Sequence, residues 1–260
     1  MFTNAIVRLP AANFADGLTT MDLGKPDFAK TILQHQAYCA ALEQCGLALT
    51  HLPADAAYPD STFVEDVAIV TAHGAIMTLP GAASRAGEVT SMRGVLPQFY
   101  AELGEIMAPG TLDGGDICEA GNHFLIGISL RTNEEGARQL ANWLAARGYT
   151  SDTIDIRQTK GILHLKSGIA YIGTSGQDGH MVVIDALADH PALQRYAQVR
   201  TAPEEEYAAN CVRVNDHVLM PQGYPKLEAA LRELGYAIIA LDMSEYRKMD
   251  GGLSCLSLRF

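Results

Sequence analysis

The sequence lacks closely spaced cysteine pairs. Its five cysteines, Cys39, Cys45, Cys118, Cys211 and Cys255, include no C-x-x-C. That spacing and the odd count argue against a zinc knuckle and a disulfide framework, and we expect reduced thiols. No apolar run approaches the roughly 20 residues of a membrane helix. Residues Met1 to Arg8 hold no basic stretch leading into a long apolar one, so no secretory signal is expected. The chain is short of cations, with 19 Lys+Arg against 30 Asp+Glu and a formal charge of −11. A phosphate-backbone partner (nucleic acid) and an anionic membrane surface are therefore disfavoured, while a small cationic ligand is not. With 48% hydrophobic and only 19% charged residues, the 260-residue chain has the apolar content of a folded protein. These features predict a soluble, cytoplasmic protein.

Helical periodicity is clear in four segments. Phe28, Ile32, His35, Cys39 and Leu42 share one face. Thr132-Asn133-Glu134-Glu135 has a capping-box pattern and leads through Ala137, Leu140 and Leu144 to Gly148. A third helix is expected from Pro225 to Gly235. The fourth, Met92 to Leu103, contains Pro97, which should kink or split it. Between these lie paired apolar segments with turn residues at their tips. They are Val67–Ala72 with Ala75–Leu79, Ile117–Glu119 with Phe124–Ile126, Leu165 with Ile169–Ile172, and Val212–Val214 with Val218–Met220.

A polar residue enters each of these hairpins: Asp66, Asp116, His164 and Asn210, separated by 50, 48 and 46 residues. A further 45 residues reach Cys255, just before a terminal apolar segment, Leu256–Phe260. Five landmarks with a period of 45–50 suggest a propeller-like ring. Such a ring would close if the last strand paired with Ile6–Leu9. Equivalent strand starts would then meet at one end of the axis, bringing Asp66, Asp116, His164 and Cys255 together. A thiol, an imidazole and carboxylates in one place suggest nucleophilic thiol catalysis, with histidine moving protons and a carboxylate fixing its tautomer. Cys255 stands apart from the other four cysteines because it follows Asp250-Gly251-Gly252-Leu253-Ser254, whose glycines allow close backbone approach.

Four segments carry a resemblance. They are Pro59-Asp60-Ser61-Thr62-Phe63-Val64-Glu65-Asp66, Leu112-Asp113-Gly114-Gly115-Asp116, Leu163-His164-Leu165-Lys166-Ser167-Gly168, and Tyr246 through Cys255. In order and spacing, from Ala5 to Phe260, they resemble the dimethylarginine dimethylaminohydrolases of the guanidine-modifying superfamily. That superfamily also holds arginine deiminases and amidinotransferases. The resemblance implies an α/β fold, a five-bladed α/β propeller (pentein) of ββαβ units, formed by residues 1–260 as one domain. It implies hydrolysis of Nω-methylated arginine to citrulline and a methylamine, with arginine deiminase or another guanidine hydrolase as the alternative.

Carried over by motif, Cys255 resembles the nucleophile, His164 the acid/base and Asp113 the carboxylate that orients it. The repeat count alone points to Asp116 instead of Asp113. Asp66 and Glu65 are expected at the substrate, with Asp66 on the guanidinium. Asp60 and the backbone of Leu18 and Met249 are expected at its other polar groups, the Leu18 loop as a possible lid. Arg85 and Arg131 are expected to clamp the α-carboxylate. The resemblance implies no metal or organic cofactor, and a monomer or homodimer. Where arginine deiminases usually have His-x-Asp, this chain has His164-Leu165-Lys166. The lysine removes one anion from the pocket and favours a methylated guanidine.

Overall fold

The structure is a computed structural model that describes residues 1–173 and 179–260. Strand β1 (Asn4–Arg8) leads through helix α1 (Phe28–Gln44) to β2 (Ala48–Leu52), which lies parallel to β1. The next unit is an antiparallel hairpin, β3 (Ala68–Thr71) and β4 (Gly74–Met77), then helix α2 (Val89–Val95) and β5 (Leu103–Glu105), parallel to β4. The same order recurs in β6 (Ile117–Ala120), β7 (His123–Ile128), α3 (Glu134–Ala145) and β8 (Thr150–Asp155). It recurs again in β9 (Ile169–Tyr171), β10 (His180–Val183), α4 (Asp185–Ala188) and β11 (Ala197–Arg200). Last come β12 (Val212–Val214), β13 (His217–Pro221), α5 (Pro225–Glu233) and β14 (Ala237–Leu241). Each unit gives a three-stranded sheet, and the described residues hold five.

The ring closes through the chain ends. β15 (Leu258–Arg259) pairs antiparallel with β1, Ile6 opposite Leu258 and Ala5 opposite Arg259. β1 therefore takes its hairpin partner from the C-terminus, and the first blade becomes a ββαβ unit like the other four. This is the five-bladed α/β propeller expected from the repeat.

Local details depart from the sequence reading in three places. Leu165 is not a strand: Leu165–Ser167 forms a single 3₁₀ turn, and β9 pairs with β10 instead. Thr132 does not cap α3. Asn133 does, its side chain accepting from the Gly136 N–H, because the Thr132 hydroxyl is directed to a buried carboxylate described below. On α1 the buried stripe is rotated toward Thr31, Gln34, His35, Tyr38, Cys39, Ala41 and Leu42, and Phe28 is exposed. Pro97 acts as anticipated. α2 stops at Val95 and a 3₁₀ turn, Leu96–Gln98, follows.

A 3₁₀ turn also precedes the inner strand of each blade. These turns are Val64–Val67, Gly114–Asp116, Leu165–Ser167, Pro203–Ala209 and Ser254–Leu256. They gather at one end of the ring, where they contact one another in sequence order around the axis. Among the described residues, no helix is long and apolar enough to cross a membrane.

Closure makes β1 structurally sensitive. Ile6 is fully buried in a cluster with Val64, Val67, Met77 and Leu258. Ile6→Ala should destabilise the fold by about 3 kcal/mol, read as a lower urea midpoint, because it leaves a cavity at the seam.

Candidate active site

The five 3₁₀ turns bring the sequence landmarks together. Each turn has few backbone hydrogen bonds of its own, so its N–H groups seek partners from the neighbouring blade. The landmarks supply them. Asp66 Oδ1 accepts from Gly115 N–H at 2.8 Å, Asp116 Oδ1 from Leu165 N–H at 2.9 Å, and Asn210 Oδ1 from Ser254 N–H at 3.0 Å. These bonds span 49, 49 and 44 residues, one blade each. The Ser254 hydroxyl then donates to Glu65 Oε2 at 2.9 Å, which links the last blade to the first around the ring.

On one side of this belt lies a cleft lined by Leu18, Asp60, Phe63, Asp66, Arg85, Asp113, Arg131, His164, Met249 and Cys255, among others. Nine of the ten residues singled out in the sequence meet here. The tenth, Glu65, turns the other way. It meets Lys166 Nζ at 2.5 Å and Arg259 at 3.5 Å, and it faces a separate cavity of about 500 Å³. Its position directly before Asp66 explains the split, since the 3₁₀ turn points successive side chains in different directions.

His164 and Asp113 form a buried pair, with Nε2 3.1 Å from Asp113 Oδ2. Asp113 is fixed from both sides. Its Oδ1 accepts from Gly81 N–H at 2.8 Å, and its own N–H donates to the Thr132 hydroxyl at 3.1 Å. Asp116 does not touch the cleft, so the structure pairs Asp113, not Asp116, with the imidazole. Burial alone would depress the His164 pKa. The surrounding carboxylates of Asp66, Asp116 and Asp113 outweigh it and raise the value to about 9.

Cys255 sits in the last 3₁₀ turn, and two tight approaches fix the loop before it. A Cβ on Gly251 would lie 2.4 Å from the Phe63 ring, and one on Gly252 would lie 2.4 Å from the Asn210 amide. Asp250 adopts a left-handed φ of 57°. Burial raises the Cys255 thiol above its ordinary range, and the Glu65 and Asp66 carboxylates push the same way. The ligand-free thiol is therefore held protonated.

Asp66 stays ionised although burial opposes it, because Arg85, His164 and the Gly115 N–H all favour the anion. Arg85 Nη1 meets Asp66 Oδ2 at 2.5 Å, and its Nε and Nη2 form a fork on Glu88 at 2.9 and 2.8 Å. Nη2 also reaches the carbonyls of Phe63 and Asp60. Arg85 is thus buried at the cleft and already paired with two carboxylates when no ligand is present. Arg131 is partly exposed at the cleft and has no side-chain ion pair among the described residues.

The Leu18 loop covers the mouth. Leu18 N–H donates to both Asp60 oxygens at 3.2 and 3.1 Å. Thr20 N–H donates to Asp250 at 2.6 Å, and the hydroxyls of Thr19 and Thr20 join it. The enclosed volume is only about 30 Å³, room for a water but not for an arginine-sized ligand. Entry requires this latch to open. Nothing in the sequence marked Asp250, Thr19 and Thr20 as a latch, because their contact spans some 230 residues. Asp66, Asp113 and His164 offer donor atoms within 4.8 Å of one another. Each is already committed to Arg85, Gly81 N–H or its partner in the pair, and we assign no metal there.

Comparison with known proteins agrees with this geometry. The arginine deiminase family model matches residues 57–185. The chain is 44% identical to N(G),N(G)-dimethylarginine dimethylaminohydrolase from Pseudomonas aeruginosa, over the full length of both. It is 32% identical to the protein of that name from Streptomyces coelicolor, covering 98% of this chain and 96% of the relative. Among solved structures, a cysteine-to-serine mutant of the Pseudomonas aeruginosa protein complexed with citrulline superposes with a TM-score of 0.95 over all of both chains. The N-terminal domain of ArgZ, an arginine dihydrolase, shares the fold at 16% identity and a TM-score of 0.88, covering 100% of this chain and 97% of that one.

Fold and site together define an arginine deiminase-type propeller with a Cys–His–Asp set on its axis. Within that class, the chain belongs to the N(G),N(G)-dimethylarginine dimethylaminohydrolase family.

Gly115 offers a test of the site's tolerance. A Cβ there would lie 2.6 Å from His164 Nδ1 and 3.0 Å from Asp66 Oδ1. Gly115→Ala should displace both groups and lower kcat about 100-fold, measured by citrulline release, while far-UV circular dichroism stays native.

Proposed function

We propose that this protein hydrolyses Nω-methylated L-arginine to L-citrulline and methylamine or dimethylamine. The observation that carries the reading is the meeting of a thiol, a paired imidazole and a guanidinium-sized anion in one cleft, from residues 255, 164, 113 and 66. The activity for which these relatives are named supports it.

In this reading the Asp66 carboxylate receives the planar guanidinium through in-plane hydrogen bonds. The substrate cation shares or displaces the Arg85 contact there. Arg131 takes the α-carboxylate, with Arg85 beside it once the ligand is seated. Asp60 and the backbone of Leu18 and Met249 hold the α-amino end, and the Leu18 loop closes over it. Glu65 contributes indirectly: Lys166 neutralises it outside the cleft, so Asp66 is the anion that faces the guanidinium. That single anion suits a guanidinium with one nitrogen blocked by methyl groups.

The chemistry then follows from the two shifted pKa values. A guanidinium cation beside Cys255 offsets the burial and the carboxylates that hold its proton, so with substrate in place the thiol releases that proton to solvent and the thiolate forms. The thiolate attacks the guanidinium carbon and a C–S bond forms. His164, protonated at neutral pH, gives its proton to the departing amine as the C–N bond breaks. A thiouronium-type intermediate remains on Cys255. His164, now neutral, takes a proton from water as the C–O bond forms. The C–S bond then breaks as the added hydroxyl gives its remaining proton to solvent and becomes the carbonyl, releasing citrulline and restoring the thiolate. No step draws on a metal or an organic cofactor. We further propose that all of this takes place within one domain, in the cytoplasm, as a monomer or homodimer. The five free cysteines support the reducing compartment.

Cys255→Ser should abolish citrulline production from asymmetric dimethylarginine, and quenching the wild type in turnover should reveal an adduct on Cys255 by mass spectrometry. Undiminished turnover by the variant, or faster turnover of unmodified arginine than of methylarginine, overturns the assignment. The raised thiol has its own signature. Inactivation of ligand-free enzyme by iodoacetamide should still accelerate with pH near about pH 9, and a plateau at or below about pH 8 contradicts it.

A further inference from the structure

Asp116, like Asn210, is a landmark of the repeat that the proposed chemistry leaves without a task. It is fully buried and lies outside the cleft, yet all of its hydrogen bonds lead to the site. Oδ1 accepts from the N–H of Leu165, the residue after His164, at 2.9 Å. Oδ2 accepts from the hydroxyls of Ser129 and Thr132, both at 2.7 Å. The Thr132 hydroxyl in turn accepts from the N–H of Asp113 at 3.1 Å. The Ser129 hydroxyl accepts from the N–H groups of Arg131 at 2.9 Å and Thr132 at 3.1 Å. One carboxylate therefore holds the backbone carrying His164, and it reaches the backbone of Asp113 and Arg131 through one hydroxyl each.

We propose that Asp116 is a positioning residue for the acid/base pair, fixing His164 and Asp113 in register and setting the charge behind the imidazole. The proposal rests on the reading of His164 given above.

Three observations support it. First, the repeat puts Asp116 where Asp66 stands one blade earlier. The same cross-blade bond is made, but here the carboxylate is closed off from any ligand and its field falls on His164. Second, the surroundings are shaped for it. A Cβ on Gly127 would lie 2.9 Å from Asp116 Oδ1 and 2.8 Å from Leu165 Cβ, so only glycine leaves room for the bond. Third, the donors are directional. The Ser129 hydroxyl accepts two backbone N–H groups and the Thr132 hydroxyl one, which turns their protons toward Asp116, and an amide N–H₂ in its place would meet occupied lone pairs on Ser129. The charged and titratable groups facing His164 are Asp66, which is paired with Arg85, Asp113, Asp116, and Cys255 and Arg131 across the cleft. Of these anions, Asp113 and Asp116 have no cation within ion-pair distance other than the imidazolium among the described residues, and Asp116 alone lies outside the cleft.

The test is Asp116→Asn in the full chain, with His164→Gln used to assign the imidazole signal. In an NMR titration the His164 midpoint should fall by roughly one pH unit. In steady state kcat should fall roughly 10- to 100-fold while KM stays near the wild-type value. Thr132→Val keeps the carboxylate and removes the link to Asp113, and should also lower kcat without raising KM. A folded Asp116→Asn with wild-type midpoint and kcat overturns the proposal, as does a rise in KM alone. If Asp116→Asn does not fold, Thr132→Val decides, and an unchanged kcat overturns it. Failure of the functional reading would look different: wild type would not turn over methylarginine, or His164→Gln would retain full activity.

Discussion

The structure depends on keeping charge paired where there is no water. Glu65, Asp66, Asp113 and Asp116 are buried at one end of the ring axis, with Arg85, Glu88 and His164 among them. An isolated carboxylate in that setting would be costly and would take up a proton. Each is instead held by a cation or by backbone N–H groups that the 3₁₀ turns leave unpaired. Glu65 has Lys166, Asp66 has Arg85 and Gly115 N–H, Asp113 has His164 and Gly81 N–H, and Asp116 has two hydroxyls and Leu165 N–H. The blades and the chemistry are stabilised by the same bonds. A buried network of this kind is costly when half-satisfied, which ties ring closure to site geometry.

The same pairing sets reactivity. Carboxylates around His164 keep it protonated at neutral pH, while Glu65 and Asp66 keep the nearby thiol from ionising. In the ligand-free site the thiol is therefore held in its protonated, weakly nucleophilic form. A bound guanidinium removes the obstacle at Cys255 and leaves the donor on His164 in place. Closure works toward the same end. The Leu18 loop is latched to Asp60 and Asp250, and the remaining space admits water but no substrate.

Much of this was legible in the sequence because the ring is a repeat. The polar landmarks recur at near-constant spacing since each stands at the same turn of its blade, and three of them, Asp66, Asp116 and Asn210, close the turn of the next blade. Hence Asp66, His164 and Cys255 could be grouped before any coordinates, and pairing of the termini could be expected. Three things were not legible. Leu165 reads as a strand residue by hydrophobicity, but its N–H is captured by Asp116 and the segment curls into a turn. Thr132 has the pattern of a helix cap, but a buried carboxylate competes for its hydroxyl and Asn133 takes the cap. Asp113 and Asp116 lie three residues apart, and no periodicity tells which one faces the imidazole.

Local pattern by itself determined the blade count and which residue types would meet. Those follow from period and turn chemistry, which act over a few residues. Only the tertiary structure decided the direction of each charged side chain: Glu65 away from the cleft, Arg85 onto Asp66, Asp113 onto His164, Asp116 behind it. The partners of these groups lie from 3 to 194 residues apart. Their orientation is fixed by pairing energies that exist only once the ring has closed and excluded water.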